Sequence, residues 1–239
     1  MTIGIAVMWA VLMAFSVRAS EAQPLSAPAG ERMAVRLYDT TDTSADERQQ
    51  ATDVASEILA SAGILLEWRD CGARHADNSQ CDLPVDATQI IVRVVRLRAS
   101  FGSPKRVSLG NSLVDTGAHA GSLATIYLDR VAWLASGSGV GRSTVAGRAI
   151  AHEIGHLLLG STYHGTEGLM RPTWSGDELA RDRSADWRFS QLESARLSEA
   201  VCVRRTAVLS GVRNGGYPVA CERRDTDISA TRGDSRQAR

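Results

Sequence analysis

His152-Glu153-Ile154-Gly155-His156-Leu157-Leu158-Leu159-Gly160-Ser161-Thr162-Tyr163-His164 gathers three of the chain's five histidines into thirteen residues. The stretch that leads into it, with Val145, Ala146, Ala149 and Ile150, is apolar and predicts an α-helix. Positions four apart on a helix stand one above the other, so His152 and His156 can offer imidazole nitrogens to a single ion. Glu153 projects beside them, where its carboxylate reaches a metal-bound water without ligating the metal. A chance match is the competing reading. Against it stands the apolar setting, in which two histidines and a glutamate are costly to bury without a metal or hydrogen-bonding partners.

Gly160 follows the last predicted helical turn, where a residue of positive φ stops a helix and turns the chain back; glycine does so without a Cβ penalty. His164 then returns to the ion as a third nitrogen donor. Three imidazoles leave a fourth position open, as a catalytic zinc requires, whereas a structural zinc is usually closed by four protein ligands. Asp177 and Glu178, further along, are the alternative source of a third ligand.

The stretch resembles the signature of the metzincin clan of zinc endopeptidases, H-E-x-x-H-x-x-G-x-x-H followed by a methionine-containing turn. Here one additional residue stands on each side of Gly160, and Gly168-Leu169-Met170-Arg171-Pro172 resembles the turn. The resemblance covers residues 143–172. It implies an α+β fold: a twisted mixed β-sheet of about five strands with an active-site helix and a C-terminal helix. It also implies bound zinc, a protein or peptide substrate, and Met170 as an apolar floor under His152, His156 and His164. Glu153 becomes the general base toward a zinc-activated water, and then the acid toward the leaving amine. The competing function is a catalytically weak zinc-bearing binding or interaction module.

With 239 residues the chain is long enough for one well-cored domain. An apolar run followed by small residues predicts a signal peptide over 1–22, a catalytic domain over 23–221 and a secreted protein, extracellular or periplasmic. The apolar run is short for a spanning helix, so no membrane association is expected after cleavage, and a monomer is expected; an uncleaved anchor is the alternative. In an oxidising compartment the four cysteines predict two disulfides. Pairing Cys71 with Cys81 and Cys202 with Cys221 closes two polar, turn-rich loops. Formal charge is zero with no basic stripe, so no nucleic-acid partner is expected. Residues 222–239 are charged, poor in large apolar side chains and predicted to be a disordered tail; Arg232-Gly233-Asp234 within it is read as an incidental tripeptide rather than an adhesive motif.

Working outward, 33–38 alternates apolar and polar residues and predicts a first strand. A helix follows, opened by a capping box of Ser44 and Glu47 and stopped at Gly63. Strands are predicted at 64–68 and 89–95, the first pairing parallel to the opening strand, and at 109–114 and 124–128 as an antiparallel pair on a sheet edge. Residues 135–143, rich in Gly and Ser, predict a flexible connection, and 189–203 a final helix with a Ser190–Glu193 capping box. His75 and His119 lack a second ligand at metal spacing and are expected on the surface or in hydrogen bonds. Tyr163 is read either as a phenol near the reacting centre or as a packing residue.

Overall fold

Alternation in the first strand sets the inner face of the sheet. Met33, Val35 and Leu37 of β1 (Glu31–Asp39) are buried on one side. Ile90, Val92 and Val94 of β3 (Gln89–Val95) continue that face in parallel register, and Ala124 and Ile126 of β5 (Ala120–Tyr127) extend it. On the other face Arg36, 1% exposed, donates to the carbonyls of Cys81, Leu83 and Pro84 at 3.2, 2.6 and 3.3 Å. These are details of a computed structural model that describes residues 30–72, 79–97, 107–210 and 221. The expectations for the signal peptide, His75, the tail and Arg232-Gly233-Asp234 fall outside those residues.

With β2 (Ile64–Asp70) and β4 (Gly110–Asp115) the sheet has five strands in the order β2-β1-β3-β5-β4. β1 pairs in parallel with β2 and β3, and β3 with β5, while β4 runs antiparallel to β5 at the edge. The fold is therefore α+β with a mixed five-stranded sheet.

α1 (Ala45–Ser61) begins where the Glu47 N–H donates to Ser44 Oγ at 3.2 Å. The predicted capping box is only half made. The Glu47 carboxylate takes the Arg142 guanidinium instead, with Arg142 Nη2 at 2.6 Å from both oxygens, which fastens α1 to the start of α3 (Arg142–Leu159).

The flexible connection over 135–143 is corrected by the structure. Its first four residues form the last turn of α2 (Leu128–Ser138), and only 139–141 link α2 to α3. Burial of Leu128, Val131 and Ala135 beneath α2 outweighs the low helix propensity of Gly137 and its serine neighbours.

α3 is the central element. Every residue from Val145 to Leu158 is buried, so this helix presents no solvent face along that run. It packs on α1, α2, β4, β5 and α5 (Gln191–Ser210). Arg204 of α5 donates to the carbonyls of Gly121 and Leu157 at 2.9 and 2.8 Å, holding α5 against β5 and the end of α3. α4 (Gly176–Arg181), not foreseen, is opened by a reciprocal Ser175–Glu178 capping box. The Ser190–Glu193 box forms, with both backbone N–H groups satisfied.

Both disulfides pair sequentially, Cys71 with Cys81 and Cys202 with Cys221, at Cα separations of 5.7 and 5.8 Å. Among the described residues no helix is long and apolar enough to cross a membrane.

Candidate metal centre

Helical spacing brings His152 and His156 of α3 to one face, and the chain beyond α3 returns the third histidine. His156 Nε2 lies 3.1 Å from His152 Nε2 and 3.2 Å from His164 Nε2, and the ligand atoms of all three fall within 4.8 Å of one another. The return depends on Gly160, whose φ of 59° is left-handed. A Cβ there would fall on the backbone carbonyl of His119, so the position excludes every side chain on two grounds.

The far nitrogens fix the chemistry of the near ones. His152 Nδ1 lies 2.9 Å from the Leu169 carbonyl and His156 Nδ1 2.8 Å from the Ser161 carbonyl. A carbonyl oxygen only accepts, so each Nδ1 donates a proton and each neutral ring turns a bare Nε2 lone pair toward the shared point. Burial pushes the His152 ring down to about 3, reinforced by the neighbouring His156 and opposed by the Leu169 carbonyl. Burial also lowers His156 and His164. The facing lone pairs of His152 and His156 repel unless a cation lies between them. Zn–N bonds of about 2.0–2.1 Å in a tetrahedron set nitrogens roughly 3.3 Å apart, close to the two separations from His156, so these residues fit zinc.

Glu153 lies on the same helix but turns toward the sheet edge. In β4, Gly110, Ser112 and Val114 face inward while Asn111, Leu113 and Asp115 face solvent. Ser112 Oγ lies 2.5 Å from Glu153 Oε2 and 2.8 Å from the Glu153 backbone carbonyl. Burial pushes the Glu153 carboxyl up to about 7, against the Ser112 hydrogen bond, which lowers it.

Met170 is 1% exposed, and its Sδ would sit 2.8 Å from a Cβ placed on Gly155, the residue before His156. The missing Cβ lets the thioether and the Phe189 ring approach the helix between its two histidines. The turn around Met170 is held by Gly165 N–H on the Met170 carbonyl and Leu169 N–H on the Arg188 carbonyl, both at 2.9 Å. The Leu169 carbonyl that results is the one that orients His152.

The remaining candidates stand apart from the cluster. Glu178 places its carboxylate on Ser175, 2.8 Å from the backbone N–H, and Asp177 lies in the first turn of α4, so neither acid joins the three histidines. His119 occupies the β4–β5 turn at φ 48°. Tyr163 is 71% exposed and so is not a packing residue.

A cleft of about 750 Å³ opens over the site, with β4, Trp133 and Leu134 on one side and Pro172, Thr173 and Trp174 on the other. The Trp174 ring stands edge-on to His152 at 5.7 Å. Sequence reasoning missed Gly110, Ser112 and Trp174. The β4 strand was legible, but which of its residues meet α3 depends on pairing register, which includes an irregularity at Leu113/Val114.

No family model matches the sequence, and no curated protein matches it. Among solved structures the chain is similar to a zinc-dependent peptidase from Methanocorpusculum labreanum, at 15% identity and a TM-score of 0.46 over 68% of this chain and 99% of that one. It is similar to archaemetzincin from Methanopyrus kandleri, at 13% identity and a TM-score of 0.45 over 73% and 98% of the two chains. It is also similar to metalloproteinase-II from Bacteroides fragilis, at 14% identity and a TM-score of 0.43 over 74% and 55%. At these values the similarities carry none of the functional argument, which rests on the geometry of this chain.

Proposed function

We propose that this chain is a secreted, metzincin-like zinc metalloendopeptidase, with His152, His156 and His164 as the zinc ligands, Glu153 as the general base and Met170 as the apolar support beneath them. The observation that carries the reading is the convergence of three Nε2 atoms, with the His152 and His156 rings fixed from behind by the Leu169 and Ser161 carbonyls. Zinc held there supplies Lewis acidity toward a peptide carbonyl and toward water.

The Glu153 carboxylate takes the proton of the attacking water and delivers it to the leaving amine nitrogen, so one carboxyl group serves as base and then acid. In the metal-free chain burial raises the group's affinity for a proton, the direction a carboxylate base needs. The free edge of β4 offers main-chain donors and acceptors to an extended peptide laid along the cleft. Residues 1–22 are assigned to export and 23–221 to the catalytic unit.

Casein degradation with and without a zinc chelator tests the reading. Cleavage that stops on chelation and returns with zinc supports it. Bound zinc without cleavage of any protein substrate points to the binding module, and cleavage that ignores the chelator contradicts the zinc reading.

A further inference from the structure

We propose that Ser112, with Gly110 beside it, is a seat that positions the Glu153 carboxyl group for proton transfer. The inference rests on the reading of Glu153 as the general base and assigns the residues that aim it.

A glutamate carboxyl is poorly fixed by its own rotamers, because its last torsion is broad. Here both oxygens are constrained from the neighbouring strand. Ser112 Oγ meets Oε2 at 2.5 Å. A Cβ on Gly110 would lie 2.7 Å from Oε1, 2.8 Å from Cγ and 2.9 Å from Cδ of Glu153, so the carboxyl group fills the space where that side chain would be. Gly110 and Ser112 are two apart on β4 and share its inner face, which is why one strand supplies both contacts.

The Ser112 hydroxyl has one proton and two acceptors within reach, Oε2 and the Glu153 backbone carbonyl at 2.8 Å. With the carboxylate charged, the hydroxyl donates to Oε2. Once the carboxyl group has taken a proton from water, Oε2 keeps a lone pair into which the hydroxyl goes on donating, so the acquired proton stays directed at the leaving amine. The heavy atoms stay in place through both halves of the reaction, and no proton is gained or lost by serine. Ser112 is thus a positioning residue that acts through Glu153.

The test is a double-mutant cycle in the full chain, read by thermal unfolding, alongside kcat and KM on fluorescein-labelled casein. Ser112→Ala is expected to lower Tm by about 2–4 °C in the wild-type background and by less in a Glu153→Ala background, where only the bond to the backbone carbonyl of residue 153 is lost. It is expected to lower kcat about tenfold or more with KM and zinc content unchanged, and Ser112→Thr to restore most of kcat. Gly110→Ala should lower kcat by displacing Oε1 while the hydroxyl remains. Additive Tm shifts, or full kcat in Ser112→Ala when Glu153→Gln is inactive, overturn the seat and leave the general base standing. Full activity in Glu153→Gln overturns the reading of Glu153 itself. If casein is left intact by the wild type, the proposed function is contradicted and the Tm cycle alone decides whether the seat exists.

Discussion

His164 Nε2 lies 3.2 Å from His156 Nε2, eight residues away, because the chain leaves α3 through the left-handed Gly160 and folds back over the helix end. The carboxylate alternative is absorbed elsewhere, since Glu178 caps α4 and lies 3.8 Å from Arg171 Nε.

His164→Ala should therefore weaken zinc binding about as much as His156→Ala. Roughly 10–16 kcal/mol for a four-ligand zinc site implies a loss of about a hundredfold or more for one ligand. Asp177→Asn with Glu178→Gln should leave zinc affinity unchanged. Competition with a chromogenic chelator measures both, and zinc lost only in the double acid variant would contradict the ligand set.

Gly160→Val should impair the site without touching the ligands. A β-branched residue at positive φ costs on the order of 1–3 kcal/mol, and the His119 carbonyl occupies the space its Cβ needs. Lower Tm together with weaker zinc binding is expected. Unchanged zinc affinity would show that His164 does not depend on this turn.

In the metal-free chain, Glu153 and His152 drive stability in opposite directions with pH. The Glu153 carboxyl is raised by burial to about 7, so its contribution is fully present below its ordinary value of 4.5 and is lost as pH rises through 7. His152 is depressed to about 3, so its contribution is present above 6.5 and is lost as pH falls toward 3. Between pH 4.5 and 6.5 the two oppose. Glu153→Gln removes only the first, and should gain about 3 kcal/mol on the wild type between pH 4 and pH 8. Urea unfolding after chelation measures the gain, and a difference independent of pH would contradict it.

The two disulfides close sequence separations of 10 and 19 residues. Removing either by a Cys→Ser pair should cost about 3 kcal/mol, by loop entropy in the unfolded chain. Denatured without reductant, the purified protein should show no alkylatable thiol; two or more would contradict the oxidised reading.

Much of this architecture was legible from residue patterns. β1 and β3 alternate or run β-branched, and α3 carries the histidine spacing with a glycine stop. These are local signals strong enough to fix element type. The antiparallel edge pair followed from two short strands around a Gly-containing turn. Other features were hidden because tertiary contacts decided them. α2 reads as a linker through Ser136, Gly137 and Ser138, and exists because Leu128, Val131 and Ala135 reach the core. The half-made box at Ser44 reflects Arg142, a partner 95 residues from Glu47. The facing of Ser112 and Gly110 onto Glu153 depends on strand register across the sheet edge, which composition does not encode.

Zinc content of the purified full chain, measured beside Glu153→Gln, tests the central claim most directly. The account predicts one chelator-removable zinc per chain in both proteins, because three imidazoles hold the ion and Glu153 is bonded to Ser112 instead. A chain that takes up no zinc, or a Glu153→Gln variant that loses it, would contradict the account.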